Sequence, residues 1–274
     1  MKRRILTFIA AATVAIAGYS AEPANTKNSK NVLVLYYSQS GTTKNVAEEL
    51  QRQLGADIAA NEAVTPYPAD YSATIARWNK EKSENIKPEI KPINLNLDKY
   101  STIFLGFPIW GGSYALPVAT FVSQNALKGK KVVTFATFGS GGIGSATADL
   151  AKALPEANIV KGYGVRAARV DKAKNEITRF LVENGYTTGN VAKLPAYSQQ
   201  APVTDVEKKI FNDACSSYQF PLGTPVTFAK RTTPDGTDYM FIANSQGPNG
   251  AGAKATIYVT VPTGGTPEFT LVER

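Results

Sequence analysis

From residue 31 onward the chain alternates short, predominantly apolar runs with longer stretches whose apolar residues recur at helical spacing, and this alternation leaves few folds open. Asn31–Tyr37 (NVLVLYY) is β-branched and aromatic, as suits a strand covered on both faces. It passes through Ser38–Thr43 (SQSGTT) into Lys44–Leu54, where Val46, Ala47, Leu50 and Leu54 fall on one helical face. The unit recurs as Ser101–Gly106 before Leu116–Ala126, as Lys131–Phe138 before Ser145–Leu154, and as Ile159–Val165 before Asp171–Asn184. The last helix reads as capped by Asp171 and stopped by Gly185. A weaker strand at Gly55–Glu62 and a helix at Tyr71–Ser83 bring the strand count to five. Parallel strands need crossovers, and crossover helices cover the sheet, so the expectation is an α/β fold with helices on both faces of a parallel sheet.

After Gly185 the texture changes. Residues 187–202 are polar, carry Gly189, Pro195 and Pro202, and read as a linker. Val203–Ser217 is an amphipathic helix with Val206, Ile210, Phe211 and Ala214 on one side. Alternating strands at 225–230, 238–243, 254–261 and 268–272 follow, separated by Pro234–Gly236, Gly247–Gly250 and Gly264–Gly265. Residues 203–274 are therefore expected to form a small α+β domain with an antiparallel sheet, for which docking of a partner is one role.

The first 30 residues lie outside this pattern. Lys2, Arg3 and Arg4 precede an uncharged apolar run, Ile5–Gly18, and Gly18-Tyr19-Ser20 places small residues at a cleavage site. Residues 1–20 thus read as a signal peptide and 21–30 as a flexible lead-in, and the expected location is exported, periplasmic or secreted. No later segment is comparably apolar, so no stable membrane span is expected after cleavage. The chain has 30 Lys and Arg against 22 Asp and Glu, but no basic run interleaved with aromatics after residue 30, so no nucleic-acid partner is expected. With no His and a single Cys, catalytic triads, His-ligated zinc and an internal disulfide are excluded. Cys215 reads as inert packing and Glu48 and Glu49 as solvated; Tyr67 and Tyr71 either border the binding pocket or pack their loop, and packing is the reading taken.

Chemistry concentrates in three strand-to-helix loops. Ser38, Ser40, Thr42 and Thr43 supply hydroxyls, Gly41 permits a tight turn, and the following helix points free N–H groups and its positive end into the loop, which suits a phosphate. No Lys or Arg lies within it, which favours a single terminal phosphate held by neutral donors over a triphosphate with magnesium. Phe107–Ser113 (FPIWGGS) brings Trp110, Gly111 and Gly112 to the end of a central strand, and Gly139–Gly144 (GSGGIG) follows Phe138. Ligands of open parallel sheets bind at the carboxyl ends of the strands, where all three loops meet. Together they describe a pocket for a flat ring with a phosphate tail.

These residues resemble the flavodoxin family: residues 34–43, 104–112 and 136–144 match its loops, and the likeness spans about 31–186. The resemblance implies a flavodoxin-like five-stranded sheet of order 2-1-3-4-5 and non-covalent FMN. By position it implies that Ser38, Gln39, Ser40, Gly41, Thr42 and Thr43 hold the phosphate. Pro108, Ile109, Trp110, Gly111 and Gly112 would flank the isoalloxazine, with Trp110 stacking on it. Phe138, Gly139, Ser140, Gly141 and Gly142 would meet its pyrimidine edge. The implied function is electron transfer with redox partner proteins. The alternatives are an FMN-dependent NAD(P)H:quinone-type oxidoreductase and a flavin-free ligand-binding module. The sequence is read as a carrier rather than an enzyme with its own substrate, because no Rossmann fingerprint accompanies Gly139–Gly144.

Overall fold

The computed structural model describes residues 31–246 and 252–274; the expected signal peptide, the lead-in and the turn at Gly247–Gly250 lie outside the described residues. Strands β1 (Val32–Tyr36), β2 (Asp57–Ala60) and β3 (Thr102–Trp110) come first, β3 being followed by a two-residue strand, β4 (Ser113–Tyr114). Strands β5 (Lys131–Phe138) and β6 (Asn158–Arg166) complete a parallel sheet of order β2-β1-β3-β5-β6, with β4 folded back antiparallel on β3. That is the expected order with one hairpin strand added.

Strand alternation divides the core in two. Leu33, Leu35, Ile103, Leu105, Phe107 and Val132 face α3 (Leu116–Gln124) and α4 (Gly144–Ala153), meeting Val118, Phe121 and Leu150. Val34, Phe104, Val133 and Phe135 face α1 (Thr42–Leu54) and α5 (Lys174–Glu183), meeting Val46, Leu50, Ile177 and Leu181. Each such side chain taken fully from water contributes roughly 1.5–3 kcal/mol. Helix α2 (Tyr71–Ser83) is capped by Asp70, whose carboxylate accepts from Ala73 N–H at 2.7 Å.

The C-terminal residues form β7 (Ala201–Pro202), α6 (Asp205–Cys215), β8 (Thr224–Thr233), β9 (Gly236–Gln246), β10 (Gly252–Pro262) and β11 (Glu268–Glu273). The antiparallel order is β11-β10-β9-β8-β7, and α6 lays Phe211 and Ala214 against Phe241, Ala243 and Ile257.

Four local expectations need correction. Asp171 does not cap α5, which begins at Lys174 behind Ala173; Asp171 lies in a 3-10 turn, Ala167–Lys172, held by ion pairs of Arg169 and Lys172 to Glu268 of β11. Val206 is 65% exposed and Glu207 is buried instead, its carboxylate accepting the Thr204 hydroxyl, so α6 presents a face rotated from the apolar stripe. Tyr71 is 77% exposed at the start of α2, whereas Tyr67 is buried as expected. Glu49 is partly covered, paired with Arg52 at 2.6 Å.

Cys215 ends α6 and packs on the C-terminal core. Burial pushes its thiol up to about 12, with Arg166 opposing the shift. Between the ordinary thiol value of 9.0 and about 12 the folded chain therefore holds a proton that the unfolded chain releases. Stability from this group is complete below that window and falls as pH rises through it. Urea midpoints at pH 8, 10 and 11 should decline less steeply for Cys215→Ala than for wild type; parallel declines would remove Cys215 as a cause.

Candidate functional site

The carboxyl ends of β1, β3 and β5 bring the three loops to one rim. At the first, Tyr37 N–H still bonds to Gly106 O at 2.9 Å, after which Gly41, at φ 90, turns the chain into α1. No side chain caps that helix through Gly41, and nothing lies within 4 Å of the place its Cβ would take. Ser38 Oγ accepts from Lys44 N–H at 3.2 Å, and Asn45 N–H closes on Gly41 O at 3.0 Å. The N–H groups of Thr42 and Thr43 meet no acceptor among the described residues. The Ser40 and Thr42 hydroxyls stand 3.3 Å apart beside them.

The other two loop side chains are directed elsewhere. Thr43 is fully buried with its hydroxyl 2.8 Å from that of Thr137 on β5. Gln39 Nε2 donates to Pro68 O at 2.7 Å and reaches Thr74 Oγ1 at 3.3 Å. Ser38, Ser40, Gly41 and Thr42 therefore surround the helix start, while Thr43 and Gln39 fix the loop to β5 and to the approach of α2.

At the second loop β3 continues through half-buried Pro108 and Ile109 to Trp110. Ile109 pairs with Tyr114 and Trp110 with Ser113, leaving Gly111 and Gly112, at φ 55 and 83, as a two-residue turn. Both residues lie in the left-handed region that such a hairpin requires. A Cβ on Gly111 would stand 2.2 Å from the Trp78 ring of α2. Trp110, partly exposed, meets Tyr67 edge-on at 4.8 Å and Tyr37 at 5.8 Å. Tyr67 in turn donates to the Glu81 carboxylate and lies under the Arg77 guanidinium at 3.9 Å. Burial first, and Glu81 next, raise the Tyr67 hydroxyl well above its ordinary value, so it stays protonated. Tyr37 is raised chiefly by burial. The aromatic wall is thus neutral and held from behind.

At the third loop Phe138 is buried beneath the rim with Ile143, while Gly139 and Gly141 have open space where a side chain would be. Gly142, at φ 73, has Leu271 of β11 3.0 Å from its Cβ position. Ser140 is held by groups of the C-terminal unit: its carbonyl accepts from Val272 N–H and its hydroxyl meets Tyr218.

Sequence reasoning missed the residues that β2 brings to the rim. A cavity of about 340 Å³ lies beside the first loop, lined among others by Tyr37, Ser38, Gly41, Lys44, Asn61 and Tyr67. Asn61 is 1% exposed; its Nδ2 donates to Pro117 O at 3.0 Å, and its Oδ1 has no partner among the described residues. A buried acceptor without a donor costs about 1–3 kcal/mol, which a ligand hydroxyl would relieve. The available signal was its position at the carboxyl end of a strand beside β1. Unpaired amides, neutral hydroxyls, an orphan acceptor and open glycines fit a polyol phosphate carrying a flat ring.

A family model described as flavodoxin matches residues 31–183. Among solved structures, a candidate flavoprotein of Bacteroides eggerthii is 30% identical, covers 54% of this chain and 98% of its own, and superposes with a TM-score of 0.45. Another of Bacteroides uniformis is 28% identical, with coverages of 55% and 99% and a TM-score of 0.49. A flavoprotein of Lactobacillus acidophilus in complex with FMN is 26% identical, with coverages of 52% and 97% and a TM-score of 0.44. No curated protein matches.

Proposed function

The chain belongs to the flavodoxin family, and on that premise we propose that it binds FMN non-covalently and carries electrons between partner proteins outside the cytoplasm, residues 1–20 serving as its export signal. The observation that carries the reading is the start of α1, where the free amides of Thr42 and Thr43 and the hydroxyls of Ser38, Ser40 and Thr42 surround an open concavity without a fixed cation in the loop. Bound FMN would supply the electron chemistry; the chain binds, orients and shields it. In this reading Gln39 and Thr43 hold the phosphate loop in shape, Asn61 Oδ1 takes a hydroxyl of the polyol, Pro108–Gly112 flank the ring with Trp110 against it, and Gly139–Gly142 meet its polar edge. Residues 107–113 and 138–144 contain no ionisable side chain, so the ring-facing loops offer no acid or base for a substrate of their own, which favours a carrier over an enzyme.

The test is a visible spectrum of residues 21–274 mixed with FMN and dialysed. Retained, perturbed flavin absorbance is expected, with affinity about tenfold weaker in Trp110→Ala, since an aromatic contact contributes about 0.5–1.5 kcal/mol beyond its area. Retention should vanish when Ser40→Ala is added. Absence of flavin after dialysis of the wild type would sink the carrier reading, and rapid bleaching by NAD(P)H would replace it with an enzyme.

A further inference from the structure

The third rim loop poses a mechanical problem. Gly139, Gly141, Gly142 and Gly144 fall within six residues, a composition that loses much conformational entropy when held in one shape. A loop of this kind binds weakly unless something outside it fixes its backbone before the ligand arrives.

In this chain the fixing groups converge from β6, the segment after α6, and β11. Arg166, the last residue of β6, donates from Nε to Gly139 O at 2.7 Å and from Nη1 to Phe269 O at 2.7 Å, with its guanidinium 4.4 Å over the Phe269 ring. Val272 N–H donates to Ser140 O at 3.0 Å, and Tyr218 OH donates to Ser140 Oγ at 2.7 Å. Leu271 fills the space beside Gly142 and joins the core cluster that contains Phe138 and Ile143. Glu268 fastens the same strand to Arg169 and Lys172. The contacts reach the loop from the β6 side of the sheet, away from the phosphate loop on β1, so they support the rim without occupying it.

We propose that the C-terminal unit is a brace for the third rim loop, in which Arg166, Tyr218 and the β11 backbone act as positioning groups that hold Gly139–Gly142 ready for the flavin edge. The part concerning flavin rests on the function proposed above; the part concerning the loop does not. A unit that merely docked beside the sheet would affect stability. A brace also sets the mobility of one particular loop.

The experiment uses the full mature chain with Tyr218→Phe, Arg166→Met and, as a control that cuts only the exposed latch, Lys172→Ala. Amide hydrogen exchange of the FMN-free protein is followed over residues 139–144, with the β9 and β10 amides reporting that the C-terminal unit is folded. FMN affinity is measured by fluorescence quenching. Tyr218→Phe and Arg166→Met should speed exchange over 139–144 several-fold with β9 and β10 unchanged, and weaken FMN about threefold and thirtyfold respectively, the range expected for loss of one neutral and one charge-assisted hydrogen bond to the loop. Lys172→Ala should alter neither. If Arg166→Met fails to fold, Tyr218→Phe combined with Ser140→Ala supplies a coupling measured on exchange alone. Unchanged exchange over 139–144 in folded Tyr218→Phe and Arg166→Met would overturn the brace. A wild type that binds no FMN while the variants still loosen the loop would overturn the carrier reading and leave the brace standing.

Discussion

Replacing Ser40 by aspartate is expected to weaken FMN binding by two to three orders of magnitude while leaving the FMN-free protein at least as stable as wild type. The two readouts move oppositely because one charge meets two partners. Ser40 is exposed beside the N-terminus of α1, whose first turn carries no acidic residue. A carboxylate there satisfies the helix end and contributes about 0.3–1 kcal/mol. A phosphate monoester bound at the same end carries nearly two negative charges, and each would repel a carboxylate about 4 Å away by roughly 1–4 kcal/mol between bulk-water and surface dielectric. Ser40→Asn, of the same shape without charge, should stay within about tenfold of wild type. Riboflavin, which lacks the phosphate, should bind the Asp and Asn variants equally. Titration by flavin fluorescence checks all of these values, and an Asp variant that binds FMN as tightly as the Asn variant would remove the phosphate from the α1 site.

The second large effect is on stability. Between Val133 and Phe135 the register of β5 on β6 slips, and Gly162 lies at the slip. Its N–H donates to the Thr134 hydroxyl at 3.2 Å, and that hydroxyl lies 3.1 Å from Thr147 of α4. A Cβ on Gly162 would stand 1.7 Å from the Thr134 carbonyl oxygen, between the edge strand β6 and β5, where Thr134 is fully buried. No rotamer change relieves contact with a backbone oxygen, so the bulge itself must move. Gly162→Ala is expected to cost about 3 kcal/mol, the upper end of ordinary overpacking. At roughly 2–4 °C per kcal/mol for a chain of this size, the melting temperature should fall by about 6–12 °C. Gly144→Ala, at the open start of α4 with nothing within 4 Å, should be neutral or slightly stabilising. Thermal melts followed by circular dichroism decide it; a Gly162→Ala melt within a degree of wild type would place the slip elsewhere.

What could be read from the sequence follows physical lines. The expected bounds of Lys131–Phe138 and Tyr71–Ser83 match the structure to the residue, the first being rich in β-branched and aromatic residues that suit a buried strand, the second being held at its start by the Asp70 cap that the structure shows. The turn from β1 into α1 is legible because its residues are contiguous. Strands β4 and β7, each of two residues, are too short to carry a period, although Gly111-Gly112 is itself a hairpin signature. Asn61 is missed because a lone polar residue after a weak strand gains its place only from the neighbours of β1, and Tyr67 is read as packing although a place at the pocket border is the alternative. The exposed Val206 has a different cause: Thr204 satisfies Glu207, which lets a carboxylate enter a position that hydrophobic spacing assigns to valine. No periodicity marks the meeting of Tyr218 with Ser140, since docking between packed units is decided by shape.

That meeting also gives the rim an order in time. The first rim loop is held within the parallel sheet, its farthest tie being to Thr137, 94 positions beyond Thr43, so all of its supports precede residue 138. Arg166 finds Phe269 across 103 positions, and Tyr218 finds Ser140 across 78. A chain made from its N-terminus has every support of its first rim loop before Tyr218 and β11 exist, so under the brace proposed above the last group to reach the rim is the final strand.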